Sequence, residues 1–380
     1  MDPERIRFCR RFFPEVTAAQ WSDWRWQLRH RLQDLGTLER FFCLSAGERA
    51  ALEQRGSGLP VAVTPYYAAL LDPDHPGDPL RRTVLPVADE WVRAVGEAED
   101  PLDEARDRVV NGLIHRHPDR VVFLASHSCA AYCRYCTRSR LVGQKQKLND
   151  RWEQALAYIA AHGEIREVLV SGGDPLLLST ARLTALLSRL RAIPHVELVR
   201  LGSRIPMVLP MRVTKRLVAM LQRFQPLVMS IHVTHPAELT TEALRALHRL
   251  ADAGVMLVSQ TVLLAGINDD FATMSRLLRS LVRHRVRPYY LYQCDPIWGS
   301  AHFRVPVEQG IALVEQLARE LSGLALPRYV IDAPGGGGKI TIGPVTMVGR
   351  EAGFLVLKDA SGRIWRYPDP PVVSGTLAGV

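Results

Sequence analysis

The stretch EVLVSGGDPLLLSTARLTALLSRLRAIPHVELVRLGSRIP, residues 167–206, contains two β-rich runs with a helical pattern between them. The runs are EVLVS (167–171) and VELVRL (196–201). Five more β-rich runs follow the same rhythm along the chain, at 121–125, 227–233, 255–264, 287–294 and 328–332. Strands that alternate with helices pair in parallel through crossover connections. The sequence therefore predicts an α/β fold whose core is an open or closed barrel.

The regions on either side of this core have different patterns. Residues 1 to about 110 show mostly helical and loop signals, with Trp21, Trp24 and Trp26 at helical spacing before a proline-rich stretch. Near the other end, the turn signal at 359–362 predicts a hairpin. We therefore expect three parts, which are a helical N-terminal region (1–110), a barrel core (111–339) and a small C-terminal β-hairpin appendage (340–380).

The composition is that of an ordinary globular protein. The 380 residues are 47% hydrophobic, no apolar run is long enough to span a bilayer, and the N-terminus lacks the apolar segment of a secretory signal. We therefore expect a cytoplasmic protein that does not bind a membrane. The net charge of +9 is scattered along the chain rather than gathered in a basic stripe, which argues against a nucleic-acid partner.

Polar motifs follow the predicted strands at the point where each strand ends. Cysteines follow the first run, and the other motifs are GGDP (172–175), SRIP (203–206), HVTHP (232–236), CDP (294–296) and DAPGGGGK (332–339). The carboxyl ends of the strands of an α/β barrel form one face, and that face carries the active site. We therefore expect these motifs to surround one site.

The cysteine motif is Cys129-x3-Cys133-x2-Cys136. Three thiolates in one loop can hold a four-iron cluster and leave one iron open to another ligand. A structural zinc completed by His127, or chance, is the alternative, but no fourth cysteine is near. Tyr135, between the last two cysteines, fits a cofactor that lies against an aromatic ring. The spacing therefore favours an iron–sulfur cluster.

Two glycine-rich motifs suggest close approach of a ligand to the backbone. Gly172 and Gly173 precede Asp174, whose carboxylate suits an ammonium group, although an ordinary tight turn explains the motif equally well. Four glycines (335–338) cost about 2–4 kcal/mol relative to alanine in an ordered structure. The alternatives are a flexible linker or a phosphate-binding loop, and the latter does not fit the spacing. Lys339, one of only five lysines, has an amine that can form a Schiff base with an aldehyde cofactor.

Several charged residues lie near these motifs. Arg116 and Arg120 flank the first predicted strand, where ordinary surface arginines are the alternative interpretation. Asp295 and Asp332 end two later strands, and a pair of buried carboxylates predicts a positively charged ligand group. We interpret His232, like its neighbour His235, as a core or loop residue.

The chain resembles the lysine 2,3-aminomutases, radical AdoMet enzymes that use pyridoxal phosphate. The resemblance covers nearly the whole chain, through WSDWRWQLRHR, TPYYAALLDPDHPGDPLRR, HPDRVVFL, CAAYCRYCTRSR, SGGDPLLL, LGSRIPMVLPMRVT, VRPYYLYQCD, HFRVPVEQGI and VIDAPGGGGK. It implies a partial (β/α) barrel of the radical AdoMet type. It also implies an isomerase that moves the α-amino group of a basic amino acid to Cβ. L-lysine, giving β-lysine, is our first hypothesis for the substrate.

The resemblance also implies roles for individual residues. The cluster ligands are Cys129, Cys133 and Cys136. S-adenosyl-L-methionine binds at Gly172, Gly173 and Asp174. Lys339 holds pyridoxal phosphate, and the residues near the phosphate of this cofactor are Arg116, Arg120 and Gln260. Arg138 clamps the substrate carboxylate, and Asp295 and Asp332 receive the ε-ammonium of lysine. A glutamate substrate is disfavoured, because those carboxylates would repel it. The implied partners are an electron donor such as flavodoxin or ferredoxin and further copies of the chain in a homo-oligomer.

Two departures from the family pattern matter. Some members bind zinc through a cysteine near the fifth strand and cysteines in the tail, but this chain has GINDD (266–270) there and no cysteine after Cys294, so we expect no zinc. Trp298 stands in a segment where lysine enzymes have a smaller sequence, and this keeps an arginine 2,3-aminomutase open as an alternative. A basic zinc- or nucleic-acid-binding protein is a distant third hypothesis.

Overall fold

The computed structural model describes residues 3–54, 58–143, 152–343, 346–351, 354–359 and 361–368. Ten strands form its main sheet and lie in the order of the sequence from β1 to β10. Their bounds are β1 Arg108–Val110, β2 Leu113–His117, β3 Arg120–Ser126, β4 Glu167–Gly172, β5 Leu198–Ser203, β6 Leu227–His232, β7 Met256–Leu263, β8 Arg287–Gln293, β9 Arg328–Ala333 and β10 Gly338–Thr341.

Helices make up the N-terminal region and the connections of the sheet. In the described chain they are α1 Pro3–Phe12, α2 Ala18–Trp21, α3 Trp24–Arg29, α4 Leu35–Glu39, α5 Ala46–Glu53, α6 Pro65–Ala68, α7 Pro79–Arg82, α8 Trp152–Ala161, α9 Thr180–Arg191, α10 Ile205–Val208, α11 Lys215–Leu221, α12 Thr241–Asp252, α13 Phe271–Arg283 and α14 Val307–Glu320. None of these helices has the length and apolar character that crossing a membrane would need.

Strands β3 to β9 are parallel, and each connects to the next through at least one helix. Burial explains this arrangement, because helices on the sheet bury strand residues such as Val199 and Leu201 completely. Among the described residues the two outer strands, β1 and β10, do not pair with each other, so the sheet is not closed. The prediction of a partial α/β barrel with parallel strands and crossover helices is confirmed.

Three short strands at the edges of the sheet were not predicted. β1 and β2 run antiparallel before β3, and β10 runs antiparallel to β9. They lack long apolar runs: β1 and β10 are the outer strands of the sheet, and β2, between β1 and β3, ends in His115, Arg116 and His117. The sheet therefore begins at Arg108, before the expected start of the core at residue 111, and continues past residue 339.

The N-terminal region is helical, as predicted, and contains a cluster of packed aromatic rings. The ring of Phe13 packs against those of Trp21, Trp26 and Phe41, with centroids 5.4–5.9 Å apart. Trp21 and Trp26 are buried, consistent with their helical spacing in the sequence. These helices pack on the barrel as part of the same buried core.

A separate antiparallel sheet follows the barrel. It contains β11 Met347–Glu351, β12 Phe354–Lys358 and β13 Ile364–Pro368. The predicted hairpin is confirmed between β12 and β13, where Gly362 N donates to Asp359 O over 2.9 Å. Residues 369–380 of the expected appendage lie outside the described residues.

Candidate active site

The cysteine loop follows β3 and is fixed by the N-terminal region. Arg31 Nη1 donates to Cys129 O at 2.8 Å, Tyr132 N to Ala62 O at 3.3 Å, and Arg134 Nη1 to Leu59 O at 2.9 Å. Each contact joins this loop to a residue of the first 62 positions. The helical region therefore forms one wall of the loop.

The three thiols of the loop are free and lie close together. Burial raises the pKa of Cys129 well above its ordinary value, and Cys136 and Cys133 add to the effect. Burial and Cys133 raise the pKa of Cys136 to about 12. Among the described residues no group of three or more His, Cys, Asp or Glu side chains is arranged to hold a single metal ion. The donor set itself, three soft sulfurs in one buried loop, fits an iron–sulfur cluster.

The glycines after β4 allow two backbones to touch. A Cβ on Gly172 would lie 2.2 Å from Ser126 O, and one on Gly173 would lie 2.4 Å from Ser128 O. Gly172 also has a φ of +112°, which side chains rarely adopt. These contacts hold the GGDP turn against the residues just before Cys129. The turn and the cysteine loop are thus one packed unit.

The Asp174 carboxylate is engaged within the chain. It accepts hydrogen bonds from Ser203 Oγ at 2.9 Å, from Arg204 N at 2.8 Å and from Leu176 N at 3.0 Å. Burial raises the pKa of Asp174 to about 6. From the sequence we expected this carboxylate to meet a ligand ammonium, whereas here its oxygens fix the start of the next loop.

Tyr135 lies between the cysteine loop and the end of β6. Its hydroxyl is 3.0 Å from His232 Nε2, and its ring is 4% exposed and packs edge-on against Phe303. Burial lowers the pKa of His232 to about 4, so this imidazole is neutral at physiological pH. The contact brings His232, which we had assigned to the core, next to the cysteine loop.

Lys339 lies directly opposite Asp332 in the β9–β10 pair. Its Nζ is 3.0 Å from Asp332 Oδ1 and 5.5 Å from the centre of the Tyr292 ring. The Tyr292 hydroxyl accepts a hydrogen bond from Gln260 Nε2 at 3.0 Å. The lysine side chain is 37% exposed, so its amine is accessible to a ligand.

Asp295 lies close to this pair. Its Oδ2 accepts a hydrogen bond from Thr137 Oγ1 at 2.8 Å. Burial and the charge of Asp332 raise the pKa of Asp295 to about 7, while Lys339 opposes the shift. The structure therefore brings together the two predicted carboxylates and the predicted lysine.

Arg138 links the cysteine loop to the lysine pocket. Its Nη2 donates to Glu104 Oε1 at 2.7 Å and its Nη1 to Ser171 Oγ at 3.3 Å. Burial lowers the pKa of Arg138, but Glu104, with smaller effects from Cys136 and Asp332, raises it above its usual value. Thr137, between Cys136 and Arg138, donates to Asp295 at 2.8 Å, so the cysteine loop and the lysine pocket adjoin and share one mouth.

The glycine run lies between β9 and β10 and contacts the segment before β1. Gly335 N donates to Pro101 O at 2.8 Å, which joins the run to the residues before β1. Gly336 has a φ of +87°, and a Cβ there would lie 2.9 Å from Arg106 Nη2 and 3.3 Å from Arg116 Nη2. The run is therefore an ordered turn against two arginines rather than a linker.

Four basic groups lie together beside this run. The pKa of His117 is lowered by burial and then by the charges of Arg120, Lys339 and Arg116. Arg116 pairs with Asp107 and donates to the carbonyl of Leu102. Arg120 begins β3 and is about half exposed. Asp119 pairs with Arg120 and Asp332 with Lys339, so each of the three cations already has a carboxylate partner. The feature that suits a phosphate group is the two neighbouring guanidinium groups rather than a net positive charge.

Sequence reasoning missed several residues of the site. Glu104 pairs with Arg138, Thr137 binds Asp295, and Tyr292 lies against Lys339. Thr137 directly follows the last cysteine, and Tyr292 lies two residues before the CDP motif, so position along the chain was a usable signal for both. Glu104 lies in a stretch without a recognisable pattern, and nothing in the sequence singled it out.

Two protein-family models match parts of this chain. Residues 124–278 match a model described as the radical SAM superfamily, and residues 314–378 match one described as lysine-2,3-aminomutase. The first match spans the end of β3, the cysteine loop, the GGDP turn and β4 to β7. The second includes β9 and Lys339.

Curated relatives match over nearly the whole chain. An L-lysine 2,3-aminomutase from Clostridium subterminale is 44% identical over 94% of this chain and 86% of that protein. One from Methanococcus maripaludis is 42% identical over 98% of this chain and 88% of that protein. A glutamate 2,3-aminomutase from Clostridioides difficile is 36% identical over 94% and 85% of the two chains.

Solved structures show a more distant likeness. Streptococcus suis SuiB bound to S-adenosylmethionine superposes with a TM-score of 0.43 at 11% identity, over 57% of this chain and 51% of that one. A radical SAM methyltransferase from Sphaerobacter thermophilus gives 0.42 at 20% identity, over 57% and 68%. Likeness at this level carries no argument about function.

Proposed function

The chain belongs to the lysine 2,3-aminomutase family of the radical SAM superfamily, and we propose that it moves the α-amino group of L-lysine to Cβ, giving β-lysine. As a member of this family it is an isomerase of the aminomutase class that uses a [4Fe-4S] cluster and S-adenosyl-L-methionine. Lysine as the substrate and the roles of the individual residues are what we propose.

The carboxylate pair is the observation that supports lysine. Lys339 pairs with Asp332 at 3.0 Å, while burial and then the charge of Asp332 raise the pKa of Asp295, so a further cation would stabilise the ionised form of Asp295. A second ammonium, at the end of a lysine side chain, supplies the missing positive charge. The γ-carboxylate of glutamate would instead add a third negative charge. Asp295 and Asp332 are therefore proposed to bind the ε-ammonium.

Arg138 is proposed to bind the other end of the substrate. Its guanidinium is 22% exposed at the mouth and is held on one side by Glu104. A planar guanidinium can bind a carboxylate through two parallel hydrogen bonds. Glu104 would fix the orientation of Arg138 and balance part of its charge.

Lys339 is proposed to hold pyridoxal phosphate. The residues fit this cofactor, because an accessible amine lies beside the basic group of Arg116, His117 and Arg120 and beside the ordered turn at Gly336. Gln260 would act through Tyr292, whose ring faces the lysine. When bound, pyridoxal phosphate supplies an aldehyde for the amino group and a ring that stabilises an unpaired electron during the migration.

Cys129, Cys133 and Cys136 are proposed to hold the cluster, and the turn of Gly172, Gly173 and Asp174 to receive the methionine part of S-adenosyl-L-methionine. The packing of this turn against the cysteine loop supports both roles. Since the Asp174 carboxylate is engaged, the backbone of the turn would provide the contacts to the ligand. Tyr135 would line the cofactor site beside His232.

The remaining partners also belong to the proposal. The cluster needs a one-electron donor such as flavodoxin or ferredoxin, and free cysteines favour a reducing compartment, the cytoplasm. The exposed Met347, Phe354 and Trp365 of the small C-terminal sheet support a homo-oligomer. Trp298 is 48% exposed and packs against Arg93, so its contacts give no reason to prefer arginine over lysine.

A substrate panel tests the proposal. The anaerobically reconstituted protein is incubated with S-adenosyl-L-methionine, pyridoxal phosphate and a reductant, and separately with lysine, arginine and glutamate. We expect β-lysine as the main product, identified by chromatography and NMR. Conversion of arginine with lysine untouched would replace our proposal by the arginine enzyme. A colourless protein without labile sulfide would contradict the cluster site.

A further inference from the structure

Arg204 is a buried arginine that contacts one of the three cysteines. It follows β5, is 6% exposed, and its Nη1 donates to Cys133 Sγ at 2.9 Å. Its backbone N–H donates to the Asp174 carboxylate at 2.8 Å. One residue therefore joins the GGDP turn, through its backbone, to the cysteine loop, through its side chain.

A single carboxylate balances the charge of this guanidinium. Arg204 Nη2 donates to Glu238 Oε1 at 2.9 Å, and Glu238 is fully buried. Glu238 also accepts hydrogen bonds from Tyr67 Oη at 2.9 Å and from Thr234 N at 2.7 Å. Burial raises the pKa of Glu238, but Arg204 and these donors lower it below its ordinary value, so the carboxylate stays ionised.

The guanidinium has little freedom to move. Nη2 also donates to Tyr67 Oη at 2.8 Å and to Thr83 Oγ1 at 3.3 Å, while Nε is buried without a hydrogen-bond partner. Nη2 is thus held by three groups, Tyr67, Thr83 and Glu238. A second nitrogen, Nη1, donates to the Cys133 sulfur.

We propose that Arg204 sets the reduction potential of the iron–sulfur cluster by donating a charge-assisted hydrogen bond to the Cys133 sulfur. The oxidised cluster with three thiolates carries one negative charge, and the reduced cluster carries two. A donor on a ligand sulfur, with a positive charge behind it, stabilises the reduced form more. Arg204 therefore makes the cluster easier to reduce and acts as a positioning residue through Cys133.

Glu238 opposes this effect. Its negative charge cancels part of the positive charge of Arg204. The reduction potential of the cluster beside this pair should therefore lie between two values: the higher one expected for Arg204 without Glu238, and the lower one expected without Arg204. Removing the charge of Glu238 alone should raise the potential, and removing both charges should lower it. Opposite shifts from two neighbouring substitutions are not expected from a residue that only fills space.

The experiment measures the midpoint potential of the reconstituted full-length chain, by EPR at a series of poised potentials without S-adenosyl-L-methionine. The double variant Arg204→Met/Glu238→Gln leaves no unpaired buried charge. It should shift the oxidised–reduced equilibrium about tenfold toward the oxidised cluster, which is about 59 mV lower for one electron. Glu238→Gln alone should shift it in the opposite direction. Iron and sulfide content confirm that each variant holds the cluster.

The matched control is another buried ion pair, which has no hydrogen bond to the three cysteines of the loop in the described structure. Arg81 Nη2 is 2.8 Å from Glu48 Oε2, with both side chains buried. Arg81→Met/Glu48→Gln should leave the potential unchanged. A loaded Arg204→Met/Glu238→Gln variant with the parent potential would overturn the proposal. If that variant holds no cluster, Glu238→Gln decides, and an unchanged or lower potential overturns it.

This inference rests on the cluster of the proposed site and not on the amino acid that the enzyme converts. A parent protein that takes up no iron would refute the cluster site itself. A parent with a normal cluster and unshifted variants would refute only the role of Arg204. The two failures are therefore distinguishable.

Discussion

Lys339 and Asp332 face each other across the β9–β10 pair, with Nζ and Oδ1 3.0 Å apart. The ion pair holds the lysine amine at the same mouth as Asp295 and Arg138. If Lys339 leaves this ion pair when it bonds covalently to an aldehyde, Asp332 becomes free to pair with the ammonium of the substrate.

Substituting Lys339 by Ala should abolish covalent attachment of pyridoxal phosphate. We expect the visible absorbance of the lysine-bound cofactor to disappear, because only this amine lies beside the glycine turn among the described residues. The measurement is a spectrum of the protein after gel filtration with the cofactor. Lys215→Ala, an exposed lysine at the start of α11, is the control and should keep the absorbance. Unchanged absorbance in the Lys339 variant would exclude this attachment site.

Asp295 should make the iron-free protein less stable as the pH rises. Its folded pKa of about 7 lies above the ordinary value of 3.8, so between these values the folded state keeps a proton that the unfolded state releases. The stabilising effect is complete below about pH 4 and is lost as the pH rises through about 7. Relative to Asp295→Asn, the parent should lose roughly 2 kcal/mol of unfolding free energy between pH 5 and 8, allowing for solvent screening.

Urea unfolding at pH 5, 6, 7 and 8 measures this difference. Asp359→Asn is the control, because hydrogen bonds from Ser361 and Trp365 lower the pKa of Asp359, which is ionised throughout this range. That substitution should change the stability equally at each pH. Parallel curves for the parent and Asp295→Asn would contradict the assigned pKa shift.

Gly173→Ala should destabilise the protein and weaken binding of S-adenosyl-L-methionine. The added Cβ would lie 2.4 Å from Ser128 O, so the turn must move away from the cysteine loop. Crowding of this kind costs about 1–3 kcal/mol of unfolding free energy. The control is Gly163→Ala, where a Cβ meets nothing within 4 Å. Equal thermal stability of the two variants would show that the turn accommodates the added Cβ without a steric clash.

Trp298→Leu should leave the choice of substrate unchanged. The indole is 48% exposed, and its ring centre lies 4.6 Å from the Arg93 guanidinium carbon. This contact does not involve Asp295 or Asp332. We expect the ratio of kcat/KM for lysine and arginine to stay within about twofold. A marked gain or loss of arginine turnover would assign Trp298 to the substrate pocket.

Local patterns made the parallel strands and the cysteine loop predictable from the sequence. The runs at 121–125 and 227–233, for example, correspond to β3 and β6, because buried strands need continuous apolar residues. The outer strands β1 and β10, and the short strand β2 beside β1, carry no such signal, since strands at or next to an exposed edge tolerate polar residues.

Contacts between distant residues could not be predicted in the same way. Arg204 and Cys133 are 71 residues apart, and Glu104 and Arg138 are 34 apart. Each pair forms only after the barrel brings separate loops together. For the same reason His232 was assigned to the core, although its imidazole reaches the Tyr135 hydroxyl.

Arg31, Leu59 and Ala62 anchor the cysteine loop, and this limits how far the chain can be truncated. A fragment starting at residue 111 would retain all seven parallel strands and every proposed metal ligand, yet it would lack these tethers. The first hundred residues are therefore no detachable accessory. They supply three hydrogen bonds to the cysteine loop, so we expect a fragment that lacks them to hold iron less tightly than the full chain.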